Sequence, residues 1–68
     1  MIFYNDIKVG HTYLVGISKW KPKDIHRENA TILTVTEKHD NMIGFRELYC
    51  LYHRSDLVFV REIKENEK

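Results

Sequence analysis

Apolar and polar residues alternate along most of this chain, with the period of strands rather than of helices. In residues 11–17, Tyr13, Val15 and Ile17 fall on one face at period two. Gly10 ahead of them supplies a turn, and Gly16 among them marks a bulge or a close backbone approach. Residues 30–38 are rich in Thr, Ile and Val, which suit a pleated, half-buried surface. There Leu33 and Val35 share one face and Ile32 lies on the other. His39, Asp40 and Asn41 predict a turn, because Asp and Asn hydrogen-bond their own backbone. Residues 42–52 predict a third strand, with Ile43 and Phe45 in alternation. After Phe45 the apolar phase slips to Leu48 and Cys50, as a bulge near Arg46 and Glu47 would make it do. His53, Arg54, Ser55 and Asp56 form a second polar turn. Residues 57–63 close the set, with Leu57, Phe59 and Ile63 on one side and Val58 and Val60 on the other.

Helical patterning is weak throughout. Gly44 interrupts residues 42–51, and no capping pattern opens them. Residues 23–29, after Pro22, fit one short helical turn at most. The chain therefore reads as four strands, or five if residues 2–4 or 7–9 pair. Its loops are short except for residues 18–29. Short antiparallel strands must hide their edges, and a small barrel does so economically. The predicted fold is all-β: a small, partly open barrel of four to five antiparallel strands with one long loop. A compact OB-like barrel is the alternative.

The segment Ile7-Lys8-Val9-Gly10-His11-Thr12-Tyr13-Leu14-Val15 resembles the opening of SH3-like barrels. Those begin with a short approach segment, a glycine and an alternating strand. A long irregular loop follows, matching residues 18–29, and three tighter hairpin strands complete the barrel, matching residues 30–63. The resemblance spans residues 7–63 and implies a fold. The proline-binding signature of signalling SH3 domains and the glycine-spaced motif of the ribosome-associated barrels are both missing, so it implies no ligand. In size and style the chain also resembles small accessory proteins of bacteria and phages.

Composition narrows the function classes. Sixty-eight residues make one domain, here residues 1–63, with residues 64–68 as a frayed charged tail. A chain of this length buries only about 60% of its unfolded surface, which leaves little structure for a deep catalytic pocket. Eleven basic against ten acidic residues give a net charge of +1, short of the excess a general nucleic-acid binder carries. An apolar content of 43% sets the chain apart from disordered sequences. Cys50 is the one cysteine, so no internal disulfide forms, and a reducing compartment is favoured. The N-terminal residues lack the pattern of a signal peptide, and no apolar run approaches a membrane span. The expected location is cytoplasmic, without membrane contact.

Candidate chemistry is sparse. Cys50 and His53 have an acceptable spacing for zinc, but no second ligand pair accompanies them. Cys50 is expected to be a small, buried, inert core residue and His53 a turn residue. His53, Arg54, Ser55 and Asp56 include nucleophile, base and acid types, but neighbours in sequence rarely converge, and the expected reading is an ordinary polar turn. Tyr49 and Tyr52 fall on opposite strand faces, so at most one is exposed, and core or edge packing is favoured.

The long loop carries the strongest functional signal. Residues 18–29 hold the one Trp, the one Pro, four basic and two acidic residues, a net +2 against −1 for the rest of the chain. Lysines interleaved with Trp20 suit an acidic protein surface or an anionic ligand, with the aromatic as anchor. They also suit phosphates and stacked bases. The competing role for Trp20 is a lid folded back on the barrel. The sequence thus predicts a non-enzymatic binding module of accessory or inhibitor type, with no cofactor. Lys19, Trp20, Lys21, Lys23, His26 and Arg27 would contact a protein or anionic ligand, and a nucleic-acid-binding barrel is the alternative.

Overall fold

The computed structural model describes residues 1–17 and 30–64. Five antiparallel strands form one sheet among these residues: β1 (Thr12–Ile17), β2 (Thr31–Lys38), β3 (Met42–Phe45), β4 (Tyr52–His53) and β5 (Leu57–Ile63). They are ordered β4-β3-β2-β1-β5, so β4 and β5 are the two edges and the sheet is not closed. The architecture is the predicted all-β one, consistent with a small, partly open barrel. Two single-turn 3-10 helices, Tyr4–Asp6 and Arg54–Asp56, complete the elements of the described residues.

Alternation decides which side chains the sheet buries. Tyr13, Val15 and Ile17 of β1, Leu33 and Val35 of β2, Ile43 and Phe45 of β3 and Leu57 and Phe59 of β5 all join one core cluster. Ile32, on the opposite face of β2, stays 52% exposed. Burying such a side chain contributes about 1.5–3 kcal/mol, so this cluster dominates the stability. Phe59 sits at its centre, with ring centroids 5.9 Å from Tyr13, 6.3 Å from Phe45 and 6.5 Å from Tyr4.

Three local readings need correction. Residues 42–52 are not one strand: β3 stops at Phe45, Arg46 and Glu47 form a turn, and the chain returns as β4. This split makes the fifth strand, whereas residues 4–6, near the expected N-terminal pairing, coil into a 3-10 helix. The bulge in β1–β5 pairing falls between Leu14 and Val15 and not at Gly16. It inserts an extra residue in β5, because Val15 faces Phe59 while Leu14 faces Arg61. One inserted residue reverses the face of all that follow. Ile63 is therefore buried but stands outside the core cluster that Leu57 and Phe59 join. Gly10 does turn the chain, with φ at +92°, and its amide donates to the Val35 carbonyl at 2.8 Å.

Candidate binding surface

The six residues singled out in the long loop, Lys19, Trp20, Lys21, Lys23, His26 and Arg27, lie outside the described residues, as do residues 65–68 of the expected 64–68 tail. The frame that carries the loop is described. Its first root, Ile17, is 3% exposed and pairs with Leu57. Its second root, Thr31, pairs with Val15 in the adjacent strand. Ile17 is thus held by the core, and both roots by strand pairing. Leu57 directly follows the Arg54–Asp56 helix, so that helix borders the first root.

That helix has its own internal logic. The His53 Nδ1 accepts the Ser55 amide at 3.1 Å, as an N-cap side chain does, and the Ser55 hydroxyl lies 2.8 Å from the same nitrogen. The turn therefore does bring a serine and a histidine together, but through local capping two residues apart. An accepting Nδ1 leaves the ring proton on Nε2. Arg54, next in line, holds its guanidinium carbon 4.2 Å from the Tyr4 ring centroid, and the Lys38 ammonium lies 4.9 Å from it. The Tyr4 hydroxyl reaches the His39 carbonyl at 2.6 Å and the Met42 carbonyl at 2.8 Å. Burial pushes the Tyr4 phenol above its ordinary value, against the opposing pull of Arg54. Tyr4 is a pin between the N-terminal segment, the β2–β3 hairpin and the second 3-10 helix.

The return from β3 to β4 overturns the reading of Cys50 as a buried core residue. Cys50 is exposed. Once Arg46 and Glu47 turn the chain off the sheet, Leu48 packs back on the core and the next two residues bend outward. Tyr49 is fully exposed, while Tyr52, back on a strand, is buried. Leu51 folds over Gly44, where an added Cβ would stand 2.8 Å from Leu51 Cδ2 and 2.9 Å from Glu37 Cγ. A shallow groove of about 210 Å³ lies between this loop and residues Thr36 and Glu37 of β2.

A second open groove, about 410 Å³, crosses the sheet near Thr12, Thr34, Arg46 and Glu62. The Thr12 and Thr34 hydroxyls meet at 3.0 Å across β1 and β2. His11 Nδ1 lies 2.9 Å from the Glu62 carboxylate, and the Lys64 ammonium 3.5 Å from it. The His11 hydrogen bond is the main reason the Glu62 carboxyl is held below its ordinary value. Beside Thr34, Glu47 accepts the Thr34 amide at 2.8 Å and sits 3.3 Å from Arg46. Burial raises the Glu47 carboxyl, but the Thr34 amide and the other donors outweigh it and the net shift is downward. No group of three His, Cys, Asp or Glu side chains suited to a metal occurs among the described residues.

Comparison with known protein families, with curated proteins and with solved structures gives no match to this chain. No helix among the described residues is long and apolar enough to cross a membrane. Sequence reasoning missed Tyr4 and Glu47. Tyr4 precedes any strand pattern, and Glu47 acts through a turn that the strand reading of residues 42–52 hides.

Proposed function

We propose that this chain is a non-enzymatic binding module on an SH3-like barrel, an accessory or inhibitor-type protein acting in the cytoplasm. Its contact is the segment 18–29, and its target is a protein or other ligand presenting negative charge. One observation carries the reading: the segment with the charge excess and the only Trp is rooted in two adjacent strands, at Ile17 and Thr31. Loops held by a rigid scaffold carry binding more often than the scaffold itself. The meander β1 to β4 with β5 returning beside β1 supports the SH3-like assignment. Interleaving of Trp20 with Lys19, Lys21 and Lys23 also supports a second reading, contact with single-stranded nucleic acid by stacking and phosphate pairing.

The test is a pulldown from lysate with and without nuclease, followed by titration of the captured partner against Trp20 fluorescence. A protein partner survives nuclease, and Trp20→Ala weakens its binding by roughly 2 kcal/mol or more while the fold persists. A steep loss of affinity with salt, together with nuclease sensitivity, selects the nucleic-acid reading. Trp20 emission of a buried indole, with unfolding in Trp20→Ala, makes Trp20 a lid and removes this site.

A further inference from the structure

The link between β4 and β5 turns on one nitrogen atom. His53 has the extended backbone of an N-cap residue, with φ −71° and ψ 139°, and its Nδ1 accepts the Ser55 amide at 3.1 Å. The Ser55 hydroxyl lies 2.8 Å from the same Nδ1. These two groups respond differently to a proton on that nitrogen. A hydroxyl both donates and accepts, so the Ser55 Oγ can rotate its hydrogen away and accept the Nδ1–H. The Ser55 amide only donates. With Nδ1 protonated, two N–H groups would point at each other across 3.1 Å, and the ring has to turn out of the cap. His53 is exposed, so water reaches the ring. The rest of the turn does not depend on that proton. The Arg54 amide donates to the Asn41 carbonyl at 2.8 Å, and the Leu57 amide donates to the Arg54 carbonyl, whatever the state of the ring. Losing the cap therefore frees Ser55 while β4 and β5 stay in place.

We propose that His53 is a proton-operated latch on this turn: the neutral ring caps Ser55, and protonation releases it. Imidazoles are the side chains that ordinarily change charge between about pH 5 and 8. The neutral ring holds a hydrogen bond in the folded chain that the unfolded chain lacks. The stability that the cap contributes is therefore present on the alkaline side of that range and lost as pH falls through it. Among the described residues, the titratable groups of the elements packed here are few. Arg54 and Asp56 belong to the turn itself. Across the ladder His53 pairs with Met42, which carries no charge. The β2–β3 hairpin brings Asp40, whose carbonyl lies 3.5 Å from the Arg54 guanidinium, and His39, whose ring is engaged by Glu37 at 2.9 Å. Arg54 itself is turned onto the Tyr4 ring, where Lys38 also lies. These charges set the pH at which the latch opens, and the cap alone sets the direction. The released turn leads into Leu57, the partner of Ile17 at the first root of segment 18–29. The latch does not rest on what that segment contacts.

Long-range proton–nitrogen spectra of the intact protein read the ring nitrogens directly. At pH 8 the His53 ring is expected as the Nε2–H tautomer, with Nδ1 bare. As the ring takes up its proton, the Ser55 amide resonance should move with the same midpoint, and its protection from solvent exchange should fall. A variant isolates the energetic effect. His53→Asn keeps a side-chain acceptor at the N-cap but has no proton to gain. Lowering the pH from 8 to 5 should raise the unfolding constant of the native protein roughly fivefold more than that of His53→Asn, the usual worth of an N-cap side chain. His11, His26 and His39 are common to both proteins, so the difference belongs to His53. The spectra use the native chain alone, so they decide the matter even if the variant folds poorly. An Nδ1–H tautomer at pH 8 overturns the proposal. So does a Ser55 amide that stays in place while the ring titrates, and so do parallel acid limbs for the native protein and a folded His53→Asn.

Discussion

The Arg54 guanidinium lies over the Tyr4 ring, 4.2 Å from its centroid, across fifty residues of sequence. The contact joins the N-terminal 3-10 helix to the one that precedes β5, and the Tyr4 hydroxyl extends the joint to the β2–β3 hairpin. Tyr4→Phe keeps the ring and loses the hydroxyl, and should cost about 1 kcal/mol in urea unfolding. Tyr4→Ala loses the ring as well and should cost about 3–5 kcal/mol. If Tyr4→Ala is as stable as the native protein, the pin is ornamental.

The same residue sets an alkaline limit. Burial raises the Tyr4 phenol above its ordinary value of 10.0. A raised folded value means that Tyr4 contributes its full stability below the unfolded value and loses it as pH climbs through the folded one. Native protein should lose stability above about pH 10 more steeply than Tyr4→Phe, which has no phenol to ionise there. Parallel alkaline limbs in circular dichroism would exclude Tyr4 as the cause.

At the acid end two carboxylates, Glu62 and Glu47, act in the same direction. Glu62 lies below the ordinary 4.5 chiefly through His11. Glu47 lies below it because the Thr34 amide and its other donors outweigh the effect of burial. Lowered folded values contribute stability that is present above the unfolded value and lost as pH falls through the folded ones. Glu47→Gln and Glu62→Gln should each flatten the acid limb of a stability profile below about pH 4.5. Unchanged limbs would mean that neither pairing persists in solution.

Cys50 gives the most direct check of the β3–β4 return. Because it is exposed, a thiol reagent should label it in the native protein at a rate comparable with that of the unfolded chain. Protection from labelling until unfolding would restore the strand reading of residues 42–52.

Gly44 tests the close packing beneath the same loop. A methyl group there enters the space of Leu51 Cδ2, a side-chain tip that can move, and of Glu37 Cγ, which lies nearer its backbone. Gly44→Ala should cost about 1–3 kcal/mol in thermal or urea unfolding, as overpacking does, and Gly44→Val more. A neutral Gly44→Ala would show that Leu51 swings aside freely.

The core was legible because alternation is a local property. Tyr13, Val15, Ile17, Leu33 and Val35 are buried and Ile32 is not, as period two requires. Phase is less local. Ile63 shares parity with Phe59 in sequence, yet a bulge opposite Leu14 and Val15 reverses its face, and nothing in residues 57–63 announces that extra residue. Cys50 was misread for a related reason. Its apolar neighbours Leu48 and Leu51 pack from a loop, which has no period to read. Of the surface chemistry, Glu47 at the edge of β2 is invisible in sequence because its partner, Thr34, is thirteen positions away. The charge excess of residues 18–29 is visible in composition alone.

The pairing of β1 with β5 has a consequence in time. Thr12 faces Ile63, so the strand on the second side of β1 is made about fifty residues after it. A growing chain can complete the meander β1 to β4 early. It cannot cover the far side of β1, or seat Phe59 among the rings of Tyr4, Tyr13 and Phe45, until residue 63 has left the ribosome. Closing contacts so distant in sequence is slow, and it leaves the flank of β1 exposed meanwhile. Nascent chains halted before β5 should therefore be the species that chaperones and proteases meet, and release of β5 the event that commits the domain to its native state.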